Sequence, residues 1–187
     1  MGAEVNYNKI GEELEKQELD VGSNGVPPSH VYEQLLTIYL LQNDLTGAKF
    51  LWKRIPASTK SATPELALIW EVGQHLWKRD LPGVYSALNQ DWSPTVKDMM
   101  KALHDNVRQR AIDLVARAYT SISADDFAQL FGKNVEEAVL AAKGFGWGYD
   151  EPTHMILPSP RVPPPHTPTP SEEQLRRLAD YVSFLEN

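Results

Sequence analysis

The spacing of apolar residues predicts paired helices over the first two thirds of the chain. In "SHVYEQLLTIYLLQN" (residues 29–43) apolar residues recur every three or four positions, the pattern of a helix that buries one face. We expect Ser29 to cap this helix, because a serine oxygen can accept a hydrogen bond from the free N–H groups of a first helical turn. A weaker acidic helix is predicted before it, over residues 7–20, with Ile10 and Leu14 as its anchors.

A repeated turn favours a helical-repeat architecture. The segment "LLQNDLTGAKFLW" (residues 40–52) is echoed by "LWKRDLPGVYSAL" (residues 76–88) at an offset of 36 residues. In each copy an aspartate, Asp44 or Asp80, can cap a new helix, and the glycine three residues later lets that helix approach its neighbour closely. A period in the mid-thirties is typical of tetratricopeptide-like solenoids, although two helical hairpins in an ordinary bundle would give the same pattern.

A long helix is predicted after the repeats. We expect Ser93 to cap it and Pro94 to open it, and the helical pattern then continues to about residue 118. Its apolar stripe keeps a spacing of three or four residues throughout and consists of Val96, Met100, Leu103, Val107, Ala111, Leu114 and Ala118. This helix would join the repeats to the module that follows.

That next module has the pattern of a helix-turn-helix. Ser123 and Asn134 are the predicted caps of two short helices, over residues 124–131 and 135–143, and Gly132 is the expected left-handed stop between them. Two short helices joined by a tight glycine turn and followed by a β-ribbon are typical of winged-helix modules, many of which bind DNA.

The segment after these helices predicts the wing. Tyr149 and the run Met155–Leu157 lie on either side of a turn-forming stretch, so we expect two short strands. Two strands alone are barely stable, and the wing must therefore pack on the helices through Trp147 and Ile156. We predict that Trp147, Met155, Ile156 and Leu157 offer a strand edge and apolar surface to another protein.

The chain ends in a tethered helix. Seven prolines fall between residues 158 and 170, a composition typical of an extended spacer. The helix predicted over residues 171–187 is too short to be stable alone in water, so its apolar face needs a partner surface. It could fold back on its own chain, but its terminal position favours docking on another protein through Leu175, Leu178, Tyr181, Val182, Phe184 and Leu185.

Charge argues against nucleic acid as the partner. The chain of 187 residues has a net charge of −7, and residues 119–158 alone carry six acidic residues against two lysines, a net of −4 with His154 neutral. Glutamates at the start of the would-be recognition helix would be repelled by phosphates. A row of basic and ionisable residues on the long helix (Lys97, Lys101, His104 and Arg108) is interpreted as a solvated face.

Motifs for catalysis are missing from the sequence. There is no phosphate-binding glycine loop before a helix, no closely spaced histidine pair, no nucleophile elbow and no cysteine. No apolar run reaches the length of a membrane span. We therefore expect neither an enzyme nor a cofactor-binding, metal-binding or membrane protein.

The full set of elements resembles the PCI-domain family, the module shared by the proteasome lid, the COP-nine signalosome and initiation factor three. The segments "YLLQNDLTGAKFLWKRIP", "AYTSISADDFAQLFG" and "LADYVSFLEN" carry the resemblance to signalosome members of that family. The expected fold is mainly α, a TPR/HEAT-like helical repeat with a winged-helix subdomain and a C-terminal helix on a Pro-rich tether. Its expected divisions are an N-terminal segment with the weak acidic helix (residues 1–28), the helical repeat (29–118), the winged helix (119–158), the Pro-rich linker (159–170) and the assembly helix (171–187).

The resemblance implies a non-catalytic scaffold in a complex that removes the ubiquitin-like modifier Nedd8 from cullin–RING ubiquitin ligases. It implies a hetero-oligomer with other signalosome PCI subunits, subunit three being the suggested neighbour, in cytoplasm and nucleus. The wing and the C-terminal helix would be the assembly elements. Two alternatives remain at this point, a winged-helix nucleic-acid-binding protein and a stand-alone helical-repeat adaptor for peptides.

Overall fold

A computed structural model describes residues 7–22, 27–159, 175–176, 178–180 and 182. The helices are α1 (Tyr7–Gly22), α2 (Ser29–Leu41), α3 (Leu45–Arg54), α4 (Ala57–Ala62), α5 (Pro64–Lys78), α6 (Leu81–Leu88), α7 (Lys97–Ala118), α8 (Ala124–Phe131) and α9 (Val135–Gly144). The strands are β1 (Ile122–Ser123), β2 (Gly148–Asp150) and β3 (Met155–Leu157). The predictions for Tyr181, Phe184, Leu185 and most of the linker lie outside the described residues. A mainly helical fold with a repeat region and a winged helix is confirmed.

The two aspartate caps of the repeat are confirmed. Asp44 Oδ1 accepts a hydrogen bond from the Gly47 N–H at 2.8 Å, and Asp80 Oδ1 accepts one from the Gly83 N–H at 3.1 Å. The role predicted for the glycines needs correction, because a Cβ at either glycine would overlap the capping carboxylate itself. The glycine is thus part of the cap, and only at Gly83 does a side chain of the preceding helix, His75, also leave no room.

Both predicted serine caps in the repeat region are wrong. Helix α2 already includes Ser29, and the residue before it, Pro28, takes the N-cap position. Helix α7 begins at Lys97 rather than at Pro94, after a turn in which the Ser93 carbonyl accepts from the Lys97 N–H at 2.9 Å. The Ser93 N–H donates to Glu65 Oε1 at 2.8 Å, so this residue is held through its backbone.

Helix α2 is the centre of the first core. It packs against α1, α3, α5 and α7, and apolar side chains are buried around most of its circumference, as expected for a helix with neighbours on several sides. The fully buried side chains of this core include Leu35, Leu36, Ile38, Leu40, Leu51, Leu66, Ile69 and Leu103. Burying a side chain of this size contributes about 1.5–3 kcal/mol relative to leaving it exposed.

The N-terminal helix is fixed to the repeat by polar contacts as well as by Leu14, which is buried as predicted. Glu18 receives two hydrogen bonds from the Arg54 guanidinium, Nε to Oε1 at 2.8 Å and Nη2 to Oε2 at 2.7 Å. The hydroxyl of Tyr39 donates to Glu15 Oε1 at 2.7 Å. Helix α1 is thereby tied to both α2 and α3.

The predicted apolar stripe of α7 is correct over its first half and wrong at its end. Val96, Met100, Leu103, Val107 and Ala111 are buried, whereas Leu114 and Ala118 are exposed. In their place Ile112, Val115 and Ala116 enter a second core. The reason is that α8 packs on the end of α7 and covers a different side of it from the side that the repeats cover.

This second core belongs to a winged helix with a three-stranded sheet. The caps Ser123 and Asn134 and the left-handed Gly132 (φ 71°) are confirmed, as are the two predicted strands. The sheet order is β1-β3-β2, with Ile122 opposite Ile156 and Tyr149 opposite Ile156 on the other side. Strand β1 was not predicted, since it is only two residues long and its second residue is also the cap of α8.

Hydrogen bonds across the two cores fix the winged helix on the repeat. The Tyr85 hydroxyl of α6 donates to the Leu130 carbonyl at 2.9 Å, and Arg108 Nε of α7 donates to the Phe131 carbonyl at 3.2 Å. Both acceptors lie in the last turn of α8, whose carbonyls lack helical partners. Burial raises the pKa of Tyr85 to about 12, so its hydroxyl keeps its proton across the physiological range.

Candidate protein-interaction surfaces

The wing residues chosen from the sequence divide into buried and exposed members. Trp147 and Ile156 are buried in the second core, and the Trp147 ring lies 5.4 Å from the Phe127 ring, centroid to centroid. Met155 is half-buried, and the side chain of Leu157 is 47% exposed. Trp147 and Ile156 therefore hold the sheet on the helices, and the exposed surface of the four is mainly that of Leu157. Their part in a protein contact stays a prediction.

The third strand changes which backbone is free for strand addition. Because β3 lies between β1 and β2, its N–H and C=O groups face strands on both sides, and it is not an edge. Within the described residues the edges are β1, with two residues, and β2, Gly148–Asp150. A free edge can accept a strand from another chain, and β2 is the longer of the two.

Helix α9 presents apolar side chains that sequence reasoning did not select. Only Ala138 and Ala142 of this helix are buried, whereas Val135 is exposed and Leu140 is 73% exposed. Phe145, directly after the helix, is also partly exposed, although its ring lies 5.5 Å from Trp147. The signal was present in the sequence, since apolar residues of α9 occupy more than one face of the helix.

The C-terminal helix is visible as helical backbone at residues 175–176, 178–180 and 182. Leu178 is 60% exposed, and Leu175 and Val182 are exposed to a similar degree. These three residues have the spacing of one helix face. Within the described residues this face is not covered by the repeat or by the winged helix, and its docking role stays a prediction.

The repeat region has an exposed aromatic surface of its own. Phe50 and Trp77 are more than half exposed, and Lys49 Nζ lies 4.6 Å from the centre of the Trp77 ring. Beside Trp77 lies Trp70, which stacks on Trp52 with ring centres 5.5 Å apart. Exposed aromatic residues of this kind are enriched in protein interfaces. Phe50 and Trp77 both fall within helices rich in apolar residues, a pattern that by itself does not show whether an aromatic side chain is buried.

Asp80 and Arg110 are ionisable groups whose pKa values are shifted by contacts within the fold. The pKa of Asp80 is lowered, first by the hydrogen bond from the Gly83 N–H and then by His75, whose Nδ1 lies 2.9 Å from Asp80 Oδ2. Burial lowers the pKa of Arg110, and its Nη2 atom is buried without a hydrogen-bond partner within the described residues. No set of three potential metal ligands converges in this part of the chain. The described helices also include none with the length and apolarity of a membrane span.

Comparisons with known proteins agree with the architecture. The model of the CSN8/PSMD8/EIF3K family matches residues 28–167. The chain is 51% identical over 176 residues to a protein from Danio rerio named COP9 signalosome complex subunit 8, covering 94% of this chain and 92% of the relative. Proteins with the same name from Xenopus laevis and Arabidopsis thaliana are 48% and 32% identical, covering 98% and 99% of this chain and 94% and 95% of the relatives.

Proposed function

The chain belongs to the CSN8/PSMD8/EIF3K family, and we propose on this basis that it is an assembly subunit of the COP9 signalosome. The observation that carries the proposal is the similarity along nearly the whole chain to relatives named as subunit 8 of that complex, at up to 51% identity. The exposed apolar side chains of the winged helix and the C-terminal helix support it physically, because such surfaces are costly in a protein that acts alone.

We infer that the subunit is non-catalytic within a complex that removes Nedd8 from cullin–RING ubiquitin ligases. Its perturbed side chains serve the fold: Asp80 caps α6, and Tyr85 holds α8. Its contribution to the complex is therefore to position other subunits.

The proposed partners are other PCI subunits of the signalosome, with subunit three as the nearest neighbour. The β2 edge of the winged helix would pair with the winged helix of that neighbour, and Leu157 would add apolar contact beside it. The helix containing Leu175 and Leu178 would join a bundle of C-terminal helices. We propose that this hetero-oligomer operates in cytoplasm and nucleus.

The first test places a charge on the C-terminal helix. Leu178→Asp should abolish co-purification of the chain with the other signalosome subunits, because an aspartate cannot be buried in a helix bundle without a partner. Leu19→Asp is the matched control, since Leu19 is 74% exposed and Leu178 is 60% exposed. Normal incorporation of the Leu178 variant, or equal loss with both variants, would contradict the assignment of this helix.

The second test separates the wing from the C-terminal helix. Leu157→Asp, combined with an intact C-terminal helix, should weaken a binary complex with subunit three while the variant keeps the unfolding temperature of the parent chain. Removal of residues 171–187 should instead leave that binary contact and prevent entry into the complete complex. If both changes affect the same step equally, the two surfaces do not have separate roles.

A further inference from the structure

An open groove with a volume of about 690 Å³ lies where the winged helix meets the repeat. One wall is formed by α7, with Lys97, Lys101, His104 and Arg108 along it. The other side includes the turn between α8 and α9, which contributes Lys133. The row of side chains that the sequence suggested was a solvated face is thus one wall of a concave site.

The charge of this basic groove is opposite to that of the chain. Among the described residues four basic side chains line it against a single acidic one, Asp98, in a protein with a net charge of −7. Within the described residues, Lys97 and Lys101 form no ion pair, although acidic residues outnumber basic ones in the chain. Lys133 is paired with Glu137 at 2.9 Å. Two cations are therefore available to an anionic group from outside.

Structural contacts hold part of this wall in place. Arg108 is fixed by its bond to the Phe131 carbonyl, and its Nη2 lies 3.1 Å from His104 Nε2. The groove also has apolar members, including Met100 and the half-buried Trp92, whose indole N–H donates to the Leu88 carbonyl at 3.0 Å. A partly rigid cationic wall beside apolar side chains suits a ligand that carries both acidic and apolar groups.

The dimensions favour a linear segment over a single small anion. Lys97 and Arg108 are three turns apart on α7, so the wall is about 16 Å long, the length of about five residues of extended chain. One phosphate would reach only one or two of these cations. The geometry points to binding of an acidic, extended polypeptide segment from a partner protein, with carboxylates against Lys97 and Lys101 and an apolar side chain against Trp92.

The same region disfavours a nucleic-acid strand, whose phosphates have a comparable spacing. Helix α9 begins next to Lys133 with the exposed carboxylates of Glu136 and Glu137, and Glu137 is already paired with Lys133, so this end of the groove offers no net positive charge to a continuous polyanion. A peptide can place an apolar or neutral residue there. This inference is independent of the assembly role, because the groove involves neither the β2 edge nor the C-terminal helix.

The test uses the full-length chain and a short fluorescein-labelled peptide in which glutamates flank a central leucine. Fluorescence anisotropy at low salt should show binding, and a peptide with glutamine in place of every glutamate should bind at least about tenfold more weakly. The variant Lys97→Glu/Lys101→Glu should weaken binding of the glutamate peptide by about tenfold or more, and Lys101→Gln by about threefold. Trp92→Ala should weaken it without altering its salt dependence.

Two controls make the result decisive. Lys53→Glu changes the charge of an exposed lysine on α3, outside the groove, and should leave affinity within about twofold of the parent chain. An equally long oligothymidine should bind more weakly than the glutamate peptide. Equal binding of the glutamine peptide, equal weakening by Lys53→Glu, or tighter binding of the oligothymidine would each overturn the proposal.

Discussion

Replacing Gly132 by alanine tests how the winged helix is held on the repeat. Gly132 has a left-handed backbone (φ 71°), and a Cβ built there lies 2.6 Å from Cγ of Tyr85, too close for any real contact. The Tyr85 ring cannot move away freely, because its hydroxyl is bonded to the Leu130 carbonyl at 2.9 Å. The substitution therefore combines a backbone cost with a steric cost at the joint.

The structure contains a control for the backbone cost alone. Gly146 also has a left-handed backbone (φ 78°), but a Cβ there would meet no atom of the described residues within 4 Å. Gly146→Ala should thus cost only the left-handed conformation of alanine, about 1–2 kcal/mol. Gly132→Ala adds forced repacking of about 1–3 kcal/mol, for a total of about 2–5 kcal/mol. The difference between the two variants measures the contact with Tyr85.

The assay is urea unfolding followed by far-UV circular dichroism, supported by the thermal midpoint. Each 1 kcal/mol corresponds to a shift of about 2–4 °C for a chain of this length. In a Tyr85→Ala background the clash is absent, and Gly132→Ala should then cost no more than Gly146→Ala. Equal destabilisation by the two glycine substitutions in the parent chain, or a Gly132→Ala cost that persists without Tyr85, would refute the reasoning.

Three further predictions concern charged groups. Arg110→Met should raise the thermal midpoint by about 2–4 °C, because it replaces a buried guanidinium nitrogen, which has no hydrogen-bond partner in the described part of the chain, by an apolar side chain. A lower midpoint would contradict this. Arg54→Leu should lower the unfolding free energy by about 1–3 kcal/mol in urea titration, since it leaves the buried Glu18 carboxylate without its two hydrogen bonds; restoration by Glu18→Gln in the same chain is the check. Asp80 has a folded-state pKa below its ordinary 3.8, so its stabilisation is complete above that value and is lost as the pH falls through the folded pKa. The gap in urea midpoint between the parent chain and Asp80→Asn should accordingly shrink below about pH 4, and a gap that stayed constant or widened there would be inconsistent with a depressed pKa.

The sequence allows some of the exposed apolar residues at the interaction surfaces to be predicted and not others, and the difference has a physical reason. The tendency of Leu157, Leu175, Leu178 and Val182 to be exposed could be anticipated from apolar residues on short elements that have little of their own chain to cover them. The exposure of Leu140 on α9 could have been read from apolar residues on two faces of that helix. The exposure of Trp77 could not be predicted from the sequence, because an aromatic residue in an apolar helix has the same sequence pattern whether a neighbouring helix covers it or not.

The sequence by itself determined the features that depend on contacts within a few residues. The caps at Asp44, Asp80, Ser123 and Asn134 each bond an N–H three residues ahead, so residue type and local spacing suffice to predict them. The helix pairs and the two wing strands follow from the same short-range periodicity. The caps expected at Ser29 and Ser93 failed because the backbone there is set by Pro28 and by Glu65, the latter 28 residues away.

Only the tertiary structure decided how the parts meet. Tyr85 is bonded to a carbonyl 45 residues later, and β1 pairs with a strand that the chain reaches only after two further helices. The face that α7 buries changes along its length, because the repeat helices cover its first part and the winged helix covers its end. At the same junction the basic side chains of α7 form one wall of a groove. Such contacts depend on where distant segments lie in space, and the local spacing of apolar or charged residues does not predict those positions.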